Sequence, residues 1–360
     1  MRRHGERFER DRPQHVEREP RDVPRVVRQQ SFERPTNQRG GRPGVLSVRT
    51  PRPAGPLGGH EPVLATPNVE GVRHGGKATG YRGLMRVAVV GHVEWIEFVR
   101  VERVPSAGEI AHPTEHWEGP GGGGGVAAAH LAKLAGSCVL FTALGDDGLG
   151  HRVAEELRQR GVRAEVSWRS EPTRWAFVFI DGDGERTITT VGRRLEPSGN
   201  DDLPWDDLAR FDAAYFTAGD VKALQAARQA RVLVATTREI PMLSGANTPV
   251  DAVVGSGLDP AEAYHPGDLD PAATLAVATD GRAGGRYVTS AGVAGRFDAA
   301  EGPGPVVDRY GCGDAFAAGL TFGLAARLPA EEAMAFAARC GAAALTARGP
   351  SDGELPTLPA

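Results

Sequence analysis

Downstream of residue 84, short apolar runs alternate with longer amphipathic or Ala-rich segments. Short apolar runs bounded by glycine or polar residues are typical of buried parallel strands, and the longer segments between them are typical of helices. This alternation predicts an α/β fold with a mostly parallel sheet covered on both faces. The predicted strands are 87–90, 138–143, 164–168, 213–217, 232–235, 252–254, 275–279 and 287–290, and the predicted helices are 126–135, 151–160, 315–328 and 330–347.

A predicted hairpin interrupts this alternation. Residues 175–180 and 186–191 read as two strands, and Asp-Gly-Asp-Gly lies close to the turn between them, a frequent hairpin signal. Residues 96–105 alternate as an edge strand would. We expect these segments to form a small second sheet that projects from the main domain.

Residues 1–84 have a different composition from the rest of the chain. They are rich in Arg, Pro and Gly, and their 17 basic and 9 acidic residues give +8, whereas the whole chain carries −4. Without a sustained apolar period this segment is predicted to be disordered. Interspersed acidic residues and few aromatics disfavour nucleic-acid binding. A mis-assigned start upstream of Met85 would also explain the segment.

Cysteine content and hydropathy narrow the cellular context. Cys138, Cys312 and Cys340 have spacings that give neither a zinc site nor an even disulfide framework, which favours a reducing cytoplasm. No run approaches the roughly 20 apolar residues that a membrane helix requires. We therefore expect a cytoplasmic protein without a membrane partner.

The most informative segment is 308–314, with the sequence Asp-Arg-Tyr-Gly-Cys-Gly-Asp, directly before an apolar helix-like run. Small residues at a helix start can direct backbone N–H groups at an anion, and a carboxylate beside them can accept a hydroxyl proton. This combination suits phosphoryl transfer, with Asp314 as candidate base and Gly311, Cys312 and Gly313 as candidate anion hole. In the alternative interpretation Asp314 only caps the helix. We interpret Cys312 as a small buried thiol rather than a nucleophile.

The segment resembles the Asp-Thr-x-Gly-Ala-Gly-Asp signature of the ribokinase-like (PfkB) sugar kinase family. Further similarities follow in the family's order at Gly122-Gly123, 142–150, 156–157, 161–162, 183–187, 279–281 and 348–349. The resemblance covers residue 85 to about residue 350. It implies a kinase domain over residues 85–360 with a ribokinase-like three-layer sandwich, a mostly parallel central sheet and a small β lid formed by about 96–118 and 172–192.

The resemblance also implies an activity. It suggests an ATP-dependent phosphotransferase that acts on a hydroxymethyl group of a small sugar or related polyol, with Mg²⁺, a monovalent cation and a homodimer through the lid as further expectations. The metal ligands are not identifiable from the sequence. The implied substrate-binding residues are Gly122, Gly123, Glu94 and Ala127, and the implied ATP-binding residues are Thr279, Gly281, Asp308 and Arg309.

Several positions depart from the family pattern. The family's first-strand motif usually ends in an Asp that holds sugar hydroxyls, whereas this chain has Ile96 there, with Glu94 as a candidate substitute. Ala127 stands where an Asn is normally found, and no Asn-x-x-Glu motif is recognisable around residues 256–262. A polar sugar needs paired hydrogen-bond partners, so these changes predict an altered ligand. A nucleoside kinase and a catalytically weak ligand-binding module remain alternatives.

The glycine run 121–125 also fits a Gly-x-Gly-x-x-Gly pattern. In a dinucleotide-binding unit that fingerprint directly follows a buried strand. Residues 112–120 are not predicted to be a buried strand, which disfavours this alternative.

Overall fold

The structure is a computed structural model that describes residues 85–350 and 352–358. The prediction that residues 1–84 are disordered lies outside the described residues. The strands in chain order are β1 (Val87–Val90), β2 (Glu94–Arg100), β3 (Glu115–Gly121), β4 (Cys138–Gly145), β5 (Val162–Arg169), β6 (Trp175–Ile180), β7 (Arg186–Val191), β8 (Ala213–Phe216), β9 (Val232–Thr236), β10 (Ala252–Ser256), β11 (Leu275–Thr279), β12 (Gly285–Thr289) and β13 (Ala294–Phe297).

The helices connect these strands. They are α1 (Gly122–Ala135), α2 (Gly148–Gln159), α3 (Val221–Ala227), α4 (Ile240–Leu243), α5 (Cys312–Ala325) and α6 (Ala330–Ala344). Short 3₁₀ turns occur at Trp205–Arg210, Thr237–Glu239, Pro260–Glu262 and Gly281–Ala283.

Nine strands form the main sheet in the order β13-β12-β11-β10-β9-β8-β1-β4-β5. Seven adjacent strands of this sheet pair in parallel, and β12 and β13 are added antiparallel at one edge. The seven are β11, β10, β9, β8, β1, β4 and β5. Apolar residues face both sides: Val87 and Val89 lie in one buried cluster and Ala88 and Val90 in another. The predicted three-layer α/β architecture is therefore confirmed.

The two C-terminal helices pack closely because their contact is lined by small side chains. A Cβ on Gly319 of α5 would lie 2.9 Å from the Cα of Ala337 and 2.9 Å from the Sγ of Cys340 in α6. The larger side chains of Phe316, Leu320 and Phe336 are also buried in this part of the core. Close packing of α5 fixes its first turn, which carries Asp314, at one end of the sheet.

The small second sheet has the order β3-β2-β6-β7. The apolar side chains on its inner face, Ile96, Phe98, Ala176, Val178 and Ile180, form one buried cluster with Val126 of α1 and Tyr310. This sheet is the predicted lid, and the hairpin of β6 and β7 is confirmed. Its edge strand β7 is exposed along its whole length, and dimerisation through the lid stays a prediction.

Strand β3 occupies Glu115–Gly121, at the end of the predicted lid segment 96–118 and three residues beyond it. It pairs antiparallel with β2 in the lid and is not part of the parallel sheet. The glycine run is therefore preceded by a lid strand and not by a buried strand of the parallel sheet. The glycine run that follows forms the first turn of α1, which begins at Gly122 rather than at residue 126.

Candidate active site

The candidate site lies at the carboxyl ends of the parallel strands, where ligands bind in open α/β sheets. His92 follows β1, Thr217 follows β8 and Arg238 follows β9. Helices α1 and α5 begin at the same place, because Gly123 near the start of α1 lies beside Asp314 near the start of α5. Thr217 is 3% exposed, and its Oγ1 makes no hydrogen bond within the described part of the chain.

The turn that begins α5 is held by a buried carboxylate. Asp308 is 1% exposed, and its two oxygens accept the N–H groups of Tyr310 at 2.6 Å and Gly349 at 3.0 Å. Burial raises the pKa of Asp308, and these two hydrogen bonds oppose that shift. Asp308 therefore joins the motif to the segment after α6. A direct contact of Asp308 with ATP stays a prediction.

Gly311 allows the chain to enter α5 at a sharp angle. It has φ +81°, a left-handed conformation that costs energy for residues other than glycine, and it directly precedes Cys312, the first helical residue. A Cβ at Gly311 would lie 3.0 Å from Val126 and 3.1 Å from the carbonyl oxygen of Pro350. At Gly313, by contrast, a Cβ would meet nothing within 4 Å. The start of α5 therefore has open space beside Gly313, which an anion hole at this helix start would require.

Asp314 lies in the first turn of α5 and is half-buried. Its Oδ1 is 3.4 Å from the position that a Cβ of Gly123 would occupy. Burial raises the pKa of Asp314 to about 7; the charges of Arg186 and Arg238 oppose the shift and that of Glu262 adds to it. A carboxylate with a pKa near neutrality is well matched to accept a proton at neutral pH. Its side chain also faces a second helix start, which capping alone does not require.

The start of α1 forms the opposite wall. Gly122 has φ +74°, and its Cβ would lie 3.1 Å from the ring of His92. The N–H of Gly124 donates to the carbonyl oxygen of His92 at 3.1 Å. Burial lowers the pKa of His92 to about 3, with further lowering by Arg194, Arg174 and Arg238. His92 is therefore neutral at physiological pH and offers its ring as a polar, uncharged wall.

Glu94 lies on the lid strand β2 with 6% of its surface exposed. It forms an ion pair with Arg174, with 2.9 Å between Oε2 and Nε. Burial raises the pKa of Glu94, and the charges of Arg174 and Arg194 oppose this shift. Neither Glu94 Oε2 nor Arg174 Nε makes a well-directed hydrogen bond within the described residues. Glu94 thus remains the candidate substitute for the missing sugar-binding Asp.

The two altered positions are not open to a ligand. Ala127 is completely buried in the main core, and Ile96 is completely buried beneath the lid. Neither side chain has exposed surface to contact a substrate. A substrate contact of Ala127 stays a prediction, and its buried side chain offers no surface for one.

The other predicted ATP-binding residues lie at three places. Thr279 ends β11, and its Oγ1 donates to the carbonyl oxygen of Gly255 at 3.3 Å. Gly281 follows in an exposed turn with φ +59°. Arg309 forms a 3.0 Å ion pair with Glu185 in the lid hairpin. Roles of these residues in ATP binding stay predictions.

Sequence reasoning missed Arg186 as a site residue. It begins β7, and its Nη1 donates to the carbonyl oxygen of Arg309 at 3.3 Å. Its charge is the strongest electrostatic influence on the pKa of Asp314 and also lowers that of Cys312. No ion pair among the described residues includes Arg186. The Asp-Gly-Glu-Arg sequence identified the hairpin turn but not the direction of this guanidinium.

A second missed group joins Arg238 to two carboxylates. Its Nη2 lies 3.0 Å from Asp259 and also contacts Glu262, and Glu262 accepts the N–H of Ser256 at 2.7 Å. Asp259 and Glu262 have the spacing of the family's Asn-x-x-Glu motif, with Asp in place of Asn. Because the charges of Glu262 and Arg238 both act on Asp314, this group belongs to the site.

Comparisons with known proteins find one family whose members resemble this chain. A family model described as pfkB family carbohydrate kinase matches residues 85–236 and 217–358. An ATP-dependent ribose-1-phosphate kinase of Halopiger xanaduensis is 29% identical over 292 residues, which is 72% of this chain and 91% of that protein. A ribokinase of Dictyostelium discoideum is 30% identical over 108 residues, and this match spans only 34% of that protein.

Solved structures share the fold. A ribokinase from Giardia lamblia matches with a TM-score of 0.62 at 17% identity, over 76% of this chain and 96% of that one. An Arabidopsis thaliana ribokinase complexed with ribose and ATP matches with a TM-score of 0.59 at 20% identity, over 76% of this chain and 96% of that one. Since the family model covers almost all of the described residues, this chain belongs to the pfkB family of carbohydrate kinases.

Proposed function

We propose that this protein transfers the γ-phosphoryl group of ATP to a hydroxymethyl group of a small sugar or related polyol. The observation that carries the proposal is the position of Asp314. Its carboxylate has a pKa of about 7 and lies between two helix starts, at Gly123 and at Gly313. One helix start suits the acceptor and the other suits phosphate, so the proton acceptor stands between the two substrates.

The transfer is an exchange of one P–O bond for another. Asp314 takes the proton of the acceptor hydroxyl, whose oxygen forms a bond to the γ-phosphorus while the bond to the leaving ADP oxygen breaks. The N–H groups of Cys312 and Gly313 stabilise the phosphoryl oxygens. Arg186 supplies a positive charge from the lid, which compensates negative charge in the transition state and lowers the pKa of Asp314 against the opposing effect of burial.

Magnesium fits this site as an ion held mainly by ATP. Mg²⁺ usually takes one or two carboxylates together with phosphate oxygens and water. Within residues 85–350 and 352–358 no three His, Cys, Asp or Glu side chains are grouped to hold a metal. The carboxylates that would hold the ion are those of Glu262 and Asp259, which contact Arg238. They belong to the site because the charges of Glu262 and Arg238 act on the pKa of Asp314. A bound ion would neutralise phosphate charge, and a monovalent cation stays a prediction.

Named relatives suggest which acceptors to test. Proteins similar to this chain are named ribokinase, fructokinase and ribose-1-phosphate kinase, and one similar solved structure is an adenosine kinase.

Among the described helices, none is long and apolar enough to cross a bilayer. A cytoplasmic location and pairing through the lid stay predictions.

A panel of acceptors tests the proposed function. ATP consumption and product formation are measured with D-ribose, D-fructose, ribose 1-phosphate, small polyols and adenosine, with Mg²⁺, for the full chain and for protein starting at Met85. We expect phosphorylation of at least one neutral sugar or polyol. Phosphorylation of adenosine alone would favour the nucleoside kinase. Ligand binding without any ATP consumption would favour the non-catalytic module.

A further inference from the structure

Tyr310 occupies the variable position of the motif and connects three parts of the site. Its side chain is 8% exposed and belongs to the apolar cluster under the lid. The ring makes an edge contact with Phe98 of β2, with 5.2 Å between ring centroids. Its backbone lies in the turn before α5, two residues after Asp308. The lid, the phosphate-side turn and the start of α1 thus meet at one side chain.

The hydroxyl of Tyr310 uses only half of its hydrogen-bonding capacity. Its oxygen accepts the N–H of Gly122 at 3.2 Å. Among the described residues, no further hydrogen bond involves this hydroxyl, so its proton has no protein acceptor. A buried donor without an acceptor costs free energy. A ligand oxygen at this position would therefore accept a hydrogen bond from a donor that has no acceptor among the described residues.

Glu94 faces the same place from the neighbouring strand. It pairs with Gly121 across β2 and β3, so its Cβ projects from the same sheet face as a Cβ of Gly121 would. That Gly121 position is 3.0 Å from the hydroxyl oxygen of Tyr310. Glu94 is the strongest charged influence on the pKa of Tyr310, ahead of Asp314. An unsatisfied donor and a carboxylate acceptor thus lie close together beside the base.

We propose that Tyr310 and Glu94 hold one hydroxyl group of the acceptor between them. Tyr310 donates a hydrogen bond to the hydroxyl oxygen, and Glu94 accepts a hydrogen bond from the hydroxyl O–H group. A hydroxyl can donate and accept at once, whereas a phosphate or carbonyl oxygen would face the charge of Glu94 without a proton to give. This inference rests on the proposed function and makes it more specific. The acceptor carries a second hydroxyl besides the one that is phosphorylated, and Tyr310 selects for it.

The test compares Tyr310→Phe with the control Tyr287→Phe. Tyr287 lies on β12, and its hydroxyl donates to the exposed Glu331 of α6 at 3.0 Å. Steady-state kinetics are measured with D-ribose, D-fructose and the monodeoxy derivatives of both. We expect Tyr310→Phe to raise the KM for the acceptor roughly tenfold, the effect of one neutral hydrogen bond, with little change in the KM for ATP. Tyr287→Phe should change neither constant.

The deoxy derivatives separate recognition from a structural effect. For the wild-type protein, one deoxy derivative should have a higher KM than its parent sugar, because it lacks the hydroxyl that Tyr310 binds. In Tyr310→Phe this difference in KM should be about tenfold smaller, because the hydroxyl of the parent sugar has already lost its partner. An equal loss for every derivative in both proteins would overturn the proposal. The proposal would also be overturned if Tyr310→Phe raised the KM for the acceptor and the KM for ATP equally and lowered the melting temperature.

Calorimetric binding of the same sugars distinguishes the two proposals. If the wild-type protein binds a sugar but does not phosphorylate it, the proposed function fails, and weaker binding to Tyr310→Phe still supports the hydroxyl pair. If phosphorylation occurs with unchanged acceptor affinity in Tyr310→Phe, only the hydroxyl pair fails. Binding of no sugar at all overturns both.

Discussion

The two helix starts that meet in the site are built differently. Helix α5 begins with Gly311 in the left-handed conformation, carries Asp314 in its first turn and leaves space around Gly313. Helix α1 begins with a glycine run and has no acidic residue in its first turn, and the N–H groups of Gly122 and Gly124 are already bonded within the protein. The start of α5, the proposed phosphate side, is therefore open at Gly313, and the start of α1, the proposed acceptor side, is enclosed by its neighbours.

This difference separates chemistry from recognition. The proposed base and the proposed anion hole come from seven consecutive residues, 308–314. The acceptor side combines His92 after β1, Glu94 on β2 and Arg174 before β6. A change on the phosphate side should therefore affect catalysis with any acceptor, while a change on the acceptor side should affect folding or selectivity.

Removing the base gives the largest expected effect. Asp314→Asn should lower kcat by about 10²- to 10⁴-fold, the range for loss of a positioned general base, while ATP still binds. Because the folded-state pKa of Asp314 is raised, ionisation opposes folding as pH increases through about 7, so the variant should be at least as heat-stable at pH 8. Steady-state kinetics and thermal unfolding measure both effects.

The matched control is Glu332→Gln, an exposed acidic residue in the first turn of α6, which should leave kcat unchanged. Ordinary phosphotransfer by Asp314→Asn would show that the base is assigned wrongly.

Loss of the lid arginine should have the next largest effect. Arg186→Gln removes the strongest charge that lowers the pKa of Asp314, so that pKa should rise. The wild-type kcat/KM should increase with pH through about 7, and in the variant this increase should move to higher pH with a lower plateau, by roughly tenfold or more. Arg103→Gln, in an exposed lid ion pair with Glu109, is the control. An unmoved pH profile would contradict this role.

A methyl group in the open helix start should reduce ATP binding without harming the fold. Gly313→Ala meets no protein atom within 4 Å, so the melting temperature should stay within a few degrees, while the KM for ATP should rise about tenfold. Gly148→Ala is a matched control, since Gly148 begins α2 and has equal space around it. Unchanged ATP kinetics in Gly313→Ala would place the phosphates elsewhere.

On the closed side, the same kind of change should act mainly on stability. Gly122→Ala places a side chain at φ +74° and within 3.1 Å of the His92 ring, which should lower the free energy of unfolding by about 1–2 kcal/mol. Chemical denaturation measures this loss. A fully stable Gly122→Ala protein with reduced ATP affinity would reverse the comparison between the two helix starts.

Much of the fold could be predicted from the sequence because its signals are local. The apolar run of β1, the turn glycines of the β6–β7 hairpin and the apolar helix after Asp314 each appear within a few residues. The signal was weaker at β3, whose sequence Glu-His-Trp-Glu-Gly-Pro-Gly shows no clear alternation, so strand material was predicted only to about residue 118. The strand continues to Gly121 because β2 supplies its backbone partners.

The site divides in the same way. The sequence by itself determined the turn 308–314, since glycine spacing and a following helix are enough to place N–H groups and a carboxylate together. Only the tertiary structure brought Arg186 to that turn and Tyr310 Oη to the start of α1, and buried the Ala127 side chain in the main core. The physical reason is that charge and hydrogen-bond partners act through space, and the distances between β2, β7, α1 and α5 are fixed by packing of the whole core.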